Sequence, residues 1–150
     1  IDLRYNNGGN VHNEVLEFLS QKAHYQWAYR DFPSNSHPNV TPGDIPIIAL
    51  VNERSLSDAE VTSNGIQTLG LATIVGTETY RWIIFTSGTT LLDGSYLRLP
   101  AWGCYSLDGK DLESTGVKPD IYVKNTFEDR LKGRDPQLER AIEEALKRIK

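Results

Sequence analysis

The chain has 150 residues, the size of one domain and long enough to bury a core without disulfide or metal staples. Hydrophobic residues make up 39% and charged residues 24%, so the composition is not that of a disordered chain, and 12 Gly with 7 Pro exclude collagen-like and linker-like sequence. The 16 Lys and Arg against 20 Asp and Glu leave a net charge of −4, with no basic excess to release counterions from a phosphate backbone, which argues against nucleic acid as a partner.

Residues 1–5 alternate apolar and polar and predict a strand, ended by the turn chemistry of Asn6-Asn7-Gly8-Gly9. Asn10 is the expected cap of a helix over 11–22, where Val11, Val15, Phe18 and Leu19 fall at helical spacing. Residues 24–31 are aromatic-rich and suit a strand. Pro33, Pro38, Pro42 and Gly43 predict a long loop over 33–44. Ile45–Val51 is a short apolar run that suits a buried strand; interrupted by Pro46, it is far short of the ~20 residues a membrane-spanning helix needs. Ser57 and Glu60 have capping-box spacing and start a second helix over 57–69, followed by a strand at Leu71–Val75 ended by Gly76. Strand signals recur at 82–86, 89–92, 96–99 and 101–106, with Ser87-Gly88 and Asp93-Gly94 as turns, and 121–124 adds one more. The last helix is capped by Asp135 with Pro136 at its first position. Leu138, Ala141, Ile142, Ala145, Leu146 and Ile149 form its apolar stripe, with Glu143–Lys147 and Glu144–Arg148 as expected ion pairs. This order predicts an α/β core, with a mostly parallel sheet in front and hairpins behind. The lack of Met and the strand-like opening at Ile1 lead to the expectation of a piece cut from a longer protein.

Three segments carry candidate chemistry. Gly8-Gly9 lies between a strand and a helix, where glycines let the backbone turn sharply and free N–H groups face the mouth of the sheet; an ordinary tight turn is the competing reading. Asn52-Glu53-Arg54-Ser55-Leu56-Ser57-Asp58-Ala59-Glu60 runs from a buried strand into a helix, which places Ser57 at the carboxyl end of the strands, where open α/β sheets bind ligands. There Ser57 reads either as a nucleophile or as a simple N-cap worth ~1 kcal/mol. Glu113 precedes the turn at Gly116 and reads as an orienting carboxylate or an exposed loop residue. His12, His24 and His37 are surface residues by default, with His12 and His37 left open as bases. Cys104, the single cysteine, excludes an internal disulfide and reads as a packed small hydrophobe. The acidic residues lack metal-site spacing, so no metal is expected.

The ordered series Ile1–Asn10, Asn52–Glu60, Gly76-Thr77-Glu78-Thr79, Asp93-Gly94-Ser95, Gly116-Val117-Lys118-Pro119-Asp120 and Asp135-Pro136-Gln137-Leu138 resembles the catalytic core of the tail-specific, carboxy-terminal processing serine proteases, over nearly the whole chain. The resemblance implies a crotonase-like α/β fold. In the tail-specific branch a lysine serves as base; the corresponding position here is Trp82, flanked by Arg81 and Ile83, and an arginine stays protonated. The chain is therefore most similar to the tricorn protease branch, whose histidine base sits on a segment upstream of the core.

By that resemblance Ser57 matches the nucleophile, Gly9 and Asp58 match the residues whose N–H groups form the oxyanion hole, and Glu113 matches the glutamate supporting the histidine. The acidic specificity position of the branch falls at Trp27, or at Asp31 if the alignment slips; a tryptophan there favours small or apolar side chains. The expected function is a serine endopeptidase core, without cofactor, acting on peptide or unfolded polypeptide and inactive alone. The alternative is a non-catalytic binding or scaffold domain on the same fold, with acyl-thioester chemistry as a third option. The tricorn branch is often cytoplasmic and assembles into rings, which implies a homo-oligomer; the tail-specific branch is often exported, so compartment is left open.

Overall fold

The computed structural model describes residues 1–38, 41, 42 and 45–149. In chain order the elements are α1 (His12–Leu19), β1 (Tyr25–Trp27), β2 (Asn35–His37), β3 (Ile48–Val51), α2 (Asp58–Thr68), β4 (Thr73–Gly76), β5 (Ile84–Thr90), β6 (Tyr96–Gly103), α3 (Leu112–Thr115), β7 (Ile121–Tyr122), α4 (Phe127–Leu131) and α5 (Pro136–Leu146). No helix among the described residues is long and apolar enough to cross a membrane.

A parallel sheet with order β3-β4-β7 forms the centre, and the chain's opening adds to its β3 edge. Leu3 N donates to Leu50 O at 2.9 Å and Leu50 N to Ile1 O at 2.8 Å. Alternation along the strands explains both layers above and below. Ala49, Val51 and Ile74 face Leu3, Leu19, Ile66 and Val117, which brings α1 and α2 onto one side. Ile48, Leu50 and Val75 face Ala141 of α5 on the other. With both faces covered, β3 is apolar throughout, as a buried parallel strand must be. At Gly76, φ is +145° and a Cβ would stand 1.8 Å from Val51 O. Only glycine lets β4 lie this close to β3.

The α/β class is as the sequence reads, with local differences. The strand expected over 24–31 is only β1, and part of the expected loop over 33–44 is β2, its antiparallel partner (Tyr25↔His37, Trp27↔Asn35). Residues 39, 40, 43 and 44 of that loop, Gly43 included, lie outside the described residues. Four short strands were expected after 82. They are one long hairpin of β5 and β6, turned at Asp93-Gly94. Ser87-Gly88 is not a turn: Ser87 pairs with Leu99 and Gly88 with Arg98 inside the ladder. Cross-strand pairing overrides the local turn propensity there.

At α5 the Asp135 side chain accepts from Leu138 N at 3.0 Å, with Pro136 in the first turn, as expected. Arg4 joins Asp135 to Asp2 at 2.8 Å each, fastening the chain's opening to this cap. The ion pairs differ from expectation. Glu144 takes both Arg140 and Lys147, while Arg148 donates to Thr73 Oγ1 instead.

Candidate active site

Three connections leave the carboxyl ends of the parallel strands and meet: residues 4–10 after the opening segment, 52–57 after β3, and 77–82 after β4. Backbone and side-chain hydrogen bonds lock them together. Tyr5 N donates to Asn52 Oδ1 at 3.2 Å, Leu56 N to Asn6 O at 3.0 Å, and Tyr80 N to Ser55 O at 3.0 Å. Ser55, fully buried, donates through Oγ to Leu3 O at 2.8 Å and accepts from Asn52 N at 3.0 Å.

Ser57 heads α2 with φ 57° and ψ −120°. A residue with a Cβ rarely adopts this conformation, which costs about 1–3 kcal/mol and persists only where its surroundings enforce it. The enforcing group is Glu60. Its carboxylate is fully buried and accepts four hydrogen bonds. Ser57 N (3.0 Å) and Trp82 N (2.9 Å) donate to Oε2; Arg81 N (2.8 Å) and Thr79 Oγ1 (2.5 Å) donate to Oε1. Thr79 Oγ1 also accepts from Val117 N at 2.8 Å, extending the network to the segment after α3. A buried carboxylate is tolerable only with such full satisfaction. The capping-box reading of Ser57 and Glu60 was correct but partial, because three of the four donors lie far along the chain.

Gly8, at φ +97°, packs directly on Ser57: a Cβ there would fall 2.7 Å from Ser57 Cβ, 3.1 Å from its Oγ and 3.3 Å from Asp58 N. Asn10 does not cap α1. Val11 is the cap residue without a side-chain bond, and the Asp58 carboxylate of α2 holds the start of α1 instead. Asp58 Oδ2 accepts from Val11 N at 2.9 Å, and Oδ1 lies 2.5 Å from His12 Nδ1. The first turns of α1 and α2 are thereby clamped together. Among the described residues, neither the Gly9 N–H nor the Asp58 N–H donates to a protein acceptor. Gly9, Asn10, Ser57 and Asp58 line a cavity of about 280 Å³ together with Val61, residues 83–86 and Arg98. A second cavity, of about 610 Å³, opens from Ser57 towards Trp82, Leu99 and Pro100.

The remaining expected residues stand elsewhere. Glu113 is in α3, half-buried, its N–H donating to Asp111 Oδ1 at 2.9 Å; it lines neither cavity. Trp27, in β1, and Asp31 are exposed and line neither. His24 and His37 form an aromatic cluster with Tyr25 at the β1–β2 hairpin. Burial, and next the charge of Asp111, push the Cys104 thiol up from its ordinary pKa, so it is not poised as a nucleophile. Sequence reasoning missed two features: the Asp58 side chain and Arg98, whose partners are 46 or more and 12 residues away. Neither carries a local signal.

These features define an α/β protein with a strained serine elbow at the carboxyl end of a parallel sheet. Residues 1–123 match peptidase family S41, and the chain belongs to that family. It is 34% identical to tricorn protease homolog 1 of Streptomyces coelicolor over 97% of this chain and 14% of that protein. It is 31% identical to a carboxy-terminal-processing protease of Bartonella bacilliformis, over 92% of this chain and 33% of that protein. A crystal structure of the tricorn protease superimposes with a TM-score of 0.83 at 32% identity, covering 95% of this chain and 14% of that one. The chain thus spans a small part of the relatives it matches, on the tricorn side of the family.

Proposed function

We propose that this chain is the core of a serine peptidase that cleaves peptide or unfolded polypeptide through an acyl-enzyme on Ser57. Ser57 Oγ attacks the scissile carbonyl carbon while a base takes its proton. The carbonyl oxygen becomes an oxyanion, and the Gly9 and Asp58 N–H groups hold it. Collapse expels the amine, which leaves with that proton, and water then hydrolyses the ester. The carrying observation is the strained Ser57 beside two N–H donors without a protein acceptor, on one small cavity. The positive end of α2 adds to the stabilisation of negative charge there.

No histidine or lysine lines either cavity among the described residues. His12, closest in sequence to the glycine turn, is engaged by Asp58. This supports a base supplied by a segment outside the chain, with Glu113 orienting that assembly on docking. Ser57→Ala should therefore abolish covalent labelling by a fluorophosphonate, read by peptide mass spectrometry. The chain alone should label slowly and a longer form containing the upstream segment quickly. Ordinary peptidase rates from these 150 residues alone would move the base inside the chain; no label at Ser57 in either form would leave a binding or scaffold domain as the account.

A further inference from the structure

We propose that Arg98 makes the site selective for a peptide bearing a carboxylate next to the bond at Ser57; the proposal rests on the peptidase reading above. The two cavities share four residues: Ser57, Ile84, Thr86 and Arg98. Among the described residues, two ionisable side chains line them, Asp58 and Arg98. The Asp58 carboxylate is engaged on both oxygens, by Val11 N and His12 Nδ1, so it offers little to a substrate cation.

Arg98 is the opposite case. Its Nε donates to Thr86 Oγ1 at 2.7 Å across the hairpin, which fixes the start of the guanidinium plane. The remaining N–H groups of a guanidinium number four, and among the described residues no carboxylate forms an ion pair with Arg98. Thr86 and Pro100 are paired across the ladder, and Arg98 sits two residues from Pro100 on the same face of β6. Among the described residues, Arg98 is the one cation lining the cavity of about 610 Å³, beside Ile84, Leu99, Pro100 and Trp82. Arg98 is exposed, and its oriented guanidinium without a counter-ion matches a carboxylate in a bidentate pair at the surface. The carboxylate has two sources in a peptide: an Asp or Glu side chain, or the free C-terminus of a short segment beyond the scissile bond.

The test measures binding rather than turnover, by fluorescence anisotropy of labelled peptides on the full chain. One pair of amidated peptides differs as internal Asp against Asn; a second, neutral pair differs as free against amidated C-terminus. One or both carboxylate peptides should bind about five- to tenfold tighter than their amide partners, the size of a charge-assisted pair near a surface. The pair that shows the preference identifies its source. Arg98→Gln should remove the preference and Arg98→Lys should reduce it. Arg134→Gln, on an exposed arginine paired with Glu139, should leave it intact. Equal binding of carboxylate and amide peptides, a preference that survives Arg98→Gln, or no binding of any peptide each overturns the proposal. Fluorophosphonate labelling of Ser57 then shows whether the peptidase reading stands without it.

Discussion

The turn at Ser57 and the β5–β6 hairpin meet at the same cavities but are held by opposite means. The turn is tied by buried polar groups: Ser55, Glu60 and Thr79 are each nearly or fully inaccessible, and each makes at least two hydrogen bonds. The hairpin is tied by its own ladder, with every residue of β6 exposed and Ile83 at its root the buried apolar anchor. Position at Ser57 is thus fixed by the fold's interior, while the hairpin facing it rests on the pairing of its own two strands and is tied to the interior only at its root. Substitutions near Ser57 should change stability and reactivity together, whereas hairpin substitutions should change recognition with little cost to folding.

The first way to break that contrast is to disturb the sheet on which the turn stands. Gly76→Ala places a methyl 1.8 Å from Val51 O, so β3 and β4 must part; a loss above about 4 kcal/mol is expected by denaturant unfolding. Glu60→Ala comes next. It strips four donors of their acceptor and should cost about 3 kcal/mol, with Ser57 labelling lost in the fraction that remains folded. Labelling at the wild-type rate in Glu60→Ala would show that Ser57 holds its strained conformation by itself. His12→Ala, which removes one side of the clamp on Asp58, should cost about 1–2 kcal/mol.

A smaller effect is set by pH. Burial raises the Asp135 carboxyl, but hydrogen bonds from Arg4, Asn125 and Leu138 N outweigh it and hold it down at about 2, from the usual 3.8. A carboxyl depressed in the folded state stabilises above its unfolded value and loses that contribution as pH falls from about 4 towards 2. Asp135→Asn should flatten this part of the stability profile while lowering stability at neutral pH by no more than about 1 kcal/mol. The smallest effect is expected at Leu97→Ser on the exposed hairpin, within about 0.5 kcal/mol of wild type by thermal unfolding. A loss several times larger would place the hairpin among the elements that hold the core.

The same division decides what the sequence discloses. Where one residue's role is met within four positions, as for Asp135 with Pro136 or Ser57 with Glu60, the spacing reads directly as a cap. The apolar runs at β3 and β4 likewise state their own burial. Roles met across the chain leave no such trace. Nothing near Glu60 announces Thr79, Arg81 and Trp82 as its donors, and nothing near Val11 announces Asp58 as its acceptor. Gly88 misled for the same reason: its turn signal is local, and its pairing with Arg98 is not. The candidate residues Ser57, Gly9 and Asp58 converge on one cavity, whereas Glu113, Trp27 and Asp31 stand outside it.

The Glu60 carboxylate has a mechanical meaning beyond its hydrogen bonds. One of its oxygens, Oε2, accepts from both Ser57 N and Trp82 N. The backbone of Ser57 and the root of the β5–β6 hairpin therefore hang from a single atom. In the proposed peptidase, a peptide that levered the hairpin outward would pull on Trp82, and through that oxygen on the dihedral angles of Ser57. Grip and reactivity would then be two readings of one joint.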